Sequence, residues 1–132
     1  MALLQKLWWW FFTQTFLRIR IPHTGFSSYV ASPLFILNGN GIRIARKVRI
    51  FPGCRMETHA AGRIRICENV SIGQHFHITC AERELTIGAN SVVRGVFPDY
   101  CVIVGAPARI VKRYDPVRKG WYRTDPRGEF VI

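Results

Sequence analysis

Hydrophobic positions along the chain follow two rhythms, and the second begins near residue 41. Before it, Leu4, Trp8, Phe11, Thr15 and Ile19 fall on one helical stripe, which Leu7, Phe12 and Phe16 broaden. Lys6, Arg18 and Arg20 add positive charge, and Pro22 stops the pattern, so a helix is predicted over 1–22. The apolar run from Leu7 to Phe12 is far shorter than the roughly twenty residues needed to cross a bilayer. A signal peptide would carry small residues after its apolar centre, where this chain has Arg18 and Arg20. Two uses of the helix stay open. One is a helix lying in the membrane interface. The other packs its aromatics on the domain or on a second subunit, and ranks slightly ahead because a basic amphipathic stretch only suggests a membrane.

From residue 41 the helical period gives way to a repeat. Ile42–Ile50, Ile64–Ile72 and Leu85–Val93 align, with Ile44, Ile66 and Ile87 spaced 22 and 21 positions apart. A shorter beat of six runs inside each unit: Ile44, Ile50, Met56; then Ile66, Ile72, Ile78; then Ile87, Val93. Four positions on sits a small or β-branched residue (Val48, Cys54, Ala60, Val70, Ser91), with Phe76 as the exception. Six fits neither a helix nor a flat alternating strand. It fits a short strand and a tight turn, three times per revolution, with the aliphatic residue inward and the small one at the corner. The leftover residues of each unit, such as Gly62-Arg63-Ile64-Arg65, are expected to bulge as a small loop. Self-similarity at this period means stacked units rather than an ordinary globule. The expected fold is all-β: a triangular prism of about three parallel β-coils with a short N-terminal helix and a C-terminal tail. Residues 23–41 lead into the coils, 42–108 form them, and 109–132 close them. The helix is expected to cover one open end and the tail, with Trp121, Tyr122 and Phe130, the other end or a neighbouring subunit. Pro116 and Pro126 exclude one continuous helix in that tail.

Composition adds one outlier. The 132 residues include 19 Lys and Arg against 8 Asp and Glu, a net charge of +11. Such a chain should meet phosphates, an anionic membrane surface or nucleic acid. No RNA-recognition signature, zinc spacing or helix-turn-helix pattern is present, which places nucleic acid last and gives no metal site. Cys54, Cys67, Cys80 and Cys101 show no C-x-x-C pair, so they read as reduced, mostly buried thiols of a cytoplasmic protein. The basic helix would place that protein at the inner membrane face.

Beyond the beat, the segment Ile87-Gly88-Ala89-Asn90-Ser91-Val92-Val93 is followed by Phe97-Pro98-Asp99-Tyr100 and by Val104-Gly105-Ala106-Pro107-Ala108-Arg109. With Phe26–Val30 and Asn38–Gly41, this resembles the hexapeptide-repeat acyltransferases, which fold as a left-handed parallel β-helix. Within them it is most similar to the sugar O-acetyltransferases of O-antigen, capsule and exopolysaccharide biosynthesis. The resemblance runs from about Ile42 to Tyr114. It implies a homotrimer that uses acetyl-CoA as acyl donor and a saccharide acceptor, here a surface polysaccharide precursor; the aromatic, basic N-terminus would suit a lipid-linked one.

Such transfer needs a base for the hydroxyl proton, donors for the thioester oxyanion, and a groove for a long, phosphate-bearing cofactor. By resemblance, Gly88, Ala89, Ser91, Gly105, Ala106, Pro107 and Ala108 match the small residues along that groove. Arg109, Lys112 and Arg113 are placed to meet phosphates. The plain alternatives are tight coil corners for the small residues and a solvated closing helix for the basic ones. Of the four histidines, His23 falls in the lead-in and His59 near a corner; His75 and His77 flank Phe76 and would face outward. They are the candidate catalytic residues, although a surface histidine is more often incidental. Relatives carry the catalytic His on a later coil, beside Asp or Asn, and this chain runs from Ile78 to Gly88 without one. An active O-acetyltransferase therefore competes with a shortened, non-catalytic β-helix that binds or trimerises.

Overall fold

The six-residue beat becomes the sides of a three-sided coil. A computed structural model describes residues 2–80, 83–93, 101–125 and 127–131. The first rung is β1 (His23–Thr24), β2 (Tyr29–Val30) and β3 (Phe35–Leu37). The second is β4 (Ile42–Ile44), β5 (Arg49–Ile50) and β6 (Arg55–Thr58). The third is β7 (Arg63–Ile66), β8 (Ser71–Ile72) and β9 (His77–Cys80). A fourth begins with β10 (Glu84–Ile87) and β11 (Val92–Val93). Each side of the prism is a parallel sheet: β1-β4-β7-β10, β2-β5-β8-β11 and β3-β6-β9. The lead-in 23–41 is thus a complete rung.

The inward residues stack in register. Ile44 pairs with Ile66, Ile50 with Ile72, and Met56 with Ile78. All six are buried, with Ile42, Ile64, Leu85, Ile87 and Val93 beside them. A fully buried aliphatic side chain contributes about 1.5–3 kcal/mol, and here all of them belong to one continuous core. Two expectations are corrected. Gly62-Arg63-Ile64-Arg65 does not bulge: Arg63–Ile66 is strand β7, whose Ile64 and Ile66 alternate inward. The extra residues lengthen the first and third sides to four residues, while the second keeps two. Ala60 does not fill a corner from inside; it is exposed, and buried Thr58 fills that place with its hydroxyl donating to the Asn38 carbonyl at 2.7 Å. Val48, Cys54, Val70, Phe76 and Ser91 are buried as expected.

The corners turn through left-handed backbone. Lys47, Asn69 and Asn90 stack at the first corner, Ser32, Gly53 and His75 at the second, Asn38 and Ala60 at the third, all with positive φ. Asn and His tolerate this region better than most residues. Asn69 also donates to the Asn90 side chain at 2.9 Å and accepts from Arg49 at 3.1 Å.

After the rungs, β12 (Cys101–Gly105) joins the first sheet beside β10. The chain then reverses: β13 (Ala108–Asp115) and β14 (Gly120–Arg123) continue that sheet antiparallel. The closing segment around Arg109, Lys112 and Arg113 is therefore a strand and not a solvated helix. Its register slips opposite Val102 and Ile103; Ile110 and Tyr114 are buried on either side of exposed Lys112, and Arg83 stacks 3.7 Å over the Tyr114 ring. The candidate motif Phe97–Tyr100, residues 81–82 and Pro126 lie outside the described residues.

The N-terminal helix is α1 (Leu3–Phe12), a π turn (Thr13–Leu17) and α2 (Arg18–Arg20). It lies across the open edge of the first rung and serves that edge with polar groups. Gln14 donates to the carbonyls of Gly25 (2.9 Å) and Ser28 (3.0 Å), Trp10 to Phe26 (2.6 Å), Arg18 to Thr24 (2.6 Å) and Arg20 to Ile36 (2.9 Å). The Thr13 hydroxyl accepts from Val30 N–H at 2.9 Å. Leu17 and Ile21 plug the core below. The helical stripe read from sequence therefore faces away from the prism: Leu4, Trp8, Phe11, Thr15 and Ile19 are all exposed. No helix among the described residues is long and apolar enough to cross a membrane.

Candidate functional site

On the third sheet, alternate residues point outward and stack in columns. Phe35, Arg55 and His77 share one register position, and Leu37, Glu57 and Thr79 the next. The outward face thus brings His77 diagonally to Glu57. The His77 Nε2 lies 3.3 Å from Glu57 Oε2, and the Thr79 hydroxyl donates to the same oxygen at 3.2 Å. His59, one corner on, places Nε2 4.0 Å from Glu57 Oε1. Glu57 is the shielded member, with 18% of its side chain exposed against 40% for His77. Desolvation pushes its carboxyl up, but hydrogen bonds from His77 and Thr79 and the nearby charges of Arg55 and His77 outweigh it, and its pKa falls below the usual carboxylate value.

A carboxylate on one imidazole nitrogen fixes the tautomer and leaves the other nitrogen as acceptor. With Nε2–H on Glu57, His77 Nδ1 is the basic atom. Thr79 and Glu57 are outward residues that the sequence reading missed. The signal was available: with a 22-residue register, position 57 lies beneath 79 and diagonal to 77.

His75 stands apart, on the second corner. Its N–H donates to the Pro52 carbonyl at 3.1 Å, and its ring lies over Gly53, where a Cβ would come within 2.5 Å of Nδ1. It lines an open recess of about 640 Å³ with Phe51, Ser71, Gln74 and Val92.

The candidate groove residues separate into three groups. Gly88 and Ser91 are taken up by the fold. Val104 occupies the space where a Gly88 side chain would be. Buried Ser91 donates to the Gly88 carbonyl at 2.7 Å and accepts from Gly105 N–H at 3.1 Å. Gly105, Ala106 and Pro107 form the exposed turn of the β12–β13 hairpin, with half-buried Ala108 paired to Gly105 across it and Ala89 exposed at the first corner. Of the basic residues, Arg109 and Lys112 are exposed. Arg113 is half-buried and donates to the Gly128 carbonyl at 3.1 Å, so it holds the tail. Among the described residues no group of His, Cys, Asp and Glu could hold a metal ion.

A three-sided parallel β-solenoid with a six-residue inward beat fits a hexapeptide-repeat, acetyltransferase-like protein. The particular relative that supports this is WbbJ of Escherichia coli (strain K12), assigned as a lipopolysaccharide biosynthesis O-acetyl transferase, which is 36% identical over 69 residues. The match covers 50% of this chain and 35% of WbbJ, so the chain spans about a third of that relative's length. No family model matches the chain, and no solved structure matches it.

Proposed function

We propose that the chain is an acetyl-CoA-dependent O-acetyltransferase acting on a sugar hydroxyl of a surface polysaccharide precursor, with His77 as general base. The observation that carries this is the His77–Glu57 hydrogen bond at 3.3 Å on an outward, accessible sheet face. In the proposed reaction His77 Nδ1 takes the proton of the acceptor hydroxyl as its oxygen forms a bond to the thioester carbonyl carbon. The carbon–sulfur bond then breaks, and the imidazolium returns the proton to the departing thiolate. Glu57 positions the ring and steadies its charged form. Arg109 and Lys112 are the proposed contacts for the cofactor's phosphates, and the exposed 105–107 turn lies beside them. A homotrimer is part of this reading, since among the described residues the site lies on one outer face without a second wall.

The test is release of CoA thiol from acetyl-CoA with a panel of free sugars and nucleotide sugars. His77→Ala should lower kcat by roughly 10²–10⁴-fold and leave acetyl-CoA binding intact. Glu57→Gln should lower it less and shift the pH–rate profile. An unchanged rate in His77→Ala overturns the base assignment. Thermal protection by acetyl-CoA with no thiol release supports the second reading, a binding or trimerising module without turnover, which the lack of a His beside Asp or Asn between Ile78 and Gly88 favours.

A further inference from the structure

The N-terminal helix is inside out for a surface helix. Its polar side chains, Gln14, Arg18, Arg20 and Thr13, turn toward the prism and satisfy the first rung's backbone edge. Phe12, Leu17 and Ile21 meet the core, but the other large apolar side chains turn to solvent: Leu4 is 79% exposed, Leu7 53%, Trp8 59%, Phe11 51% and Ile19 80%. A surface helix ordinarily does the reverse, and a contiguous exposed apolar face marks an interaction site.

Charge selects the partner. The helix and the first two rungs carry eight Lys and Arg and a single acidic residue, Glu57, so seven of the eleven net positive charges belong to them. A second copy docking through the same face would set one such end against another. A bilayer rich in anionic lipid offers the opposite charge, and a Trp/Phe/Leu face seats at the boundary between headgroups and acyl chains. We propose that the helix-capped base of the prism is a docking face for an anionic lipid bilayer, on which the molecule stands with its rungs stacked outward from the membrane.

The experiment is co-sedimentation of the full chain with vesicles of phosphatidylcholine alone and of an equal mixture of phosphatidylcholine and phosphatidylglycerol. The wild type should pellet with the mixed vesicles, less so as salt rises, and stay in solution with phosphatidylcholine alone. The double variant Trp8→Glu/Phe11→Glu, whose side chains are more than half exposed, should keep the wild-type melting temperature and bind about a hundredfold more weakly. The proposal is overturned if the wild type ignores both vesicles or if the double variant binds as well as the wild type. A wild-type oligomer in sedimentation equilibrium that the double variant dissolves also overturns it, because the face is then a self-contact.

Discussion

Glu57 is the residue whose chemistry depends most on its neighbours. Its carboxylate gathers His77, Thr79 and, at longer range, His59. Because its folded pKa lies below the unfolded one, near 4.5, its contribution to stability is fully present above that value. The contribution is lost as pH falls through the lower folded value. Glu57→Gln should therefore flatten the acid limb of a melting-temperature profile below pH 4.5 and leave the limb above it parallel to wild type. A wild-type slope in the variant would show that these contacts do not stabilise the charged form. Cys54 goes the other way: burial pushes its thiol up to about 12, which keeps it neutral in the core. Inward positions such as Cys54 and Ile50 were legible in the sequence because the six-residue beat separates inside from outside. Glu57 was not, because its partner lies a rung away and only the register between rungs joins them.

At the scale of elements, the helix and the first rung form one device. The rung's upper edge pairs with the next rung, and among the described residues its lower edge meets the helix. Thr13 is the most enclosed of the polar contacts, fully buried with its hydroxyl donating to the Trp9 carbonyl at 2.7 Å while accepting from Val30 N–H. Thr13→Val keeps the shape and leaves that N–H without its partner, so it should cost about 1–3 kcal/mol in chemical denaturation. A loss below a few tenths would mean that the edge is satisfied in another way. The sequence placed the helix and its apolar stripe correctly on one face. It could not say which face met the prism, since periodicity records that two sides differ and not which one a neighbour needs. A backbone edge demands hydrogen-bonding side chains, and that requirement turned the helix over. The closing strand escaped prediction for a related reason. Its pairing partner β12 is local, and a register slip leaves buried Ile110 and Tyr114 four apart around exposed Lys112, so no alternation marks the strand.

At the scale of the whole molecule, each rung rests on the one before it, so stability is close to a sum of neighbouring interfaces with the ends as weak points. Removing residues 2–20 would strip the partners from the carbonyls of Thr24, Gly25, Phe26, Ser28 and Ile36 at once. The shortened chain should associate edge to edge, visible as growth in light scattering at concentrations where the full chain stays dispersed. An unassociated, folded product would show that the first rung tolerates an open edge.

The stacking also fixes a distance. Adjacent strands lie about 4.8 Å apart, so His77 on the third rung stands about 10 Å above the first. With the base seated on a bilayer, the prism is a ruler: its proposed base is held at one elevation over the lipid surface. An acceptor hydroxyl would then be chosen partly by how high its carrier lifts it, before any contact reads which sugar it belongs to.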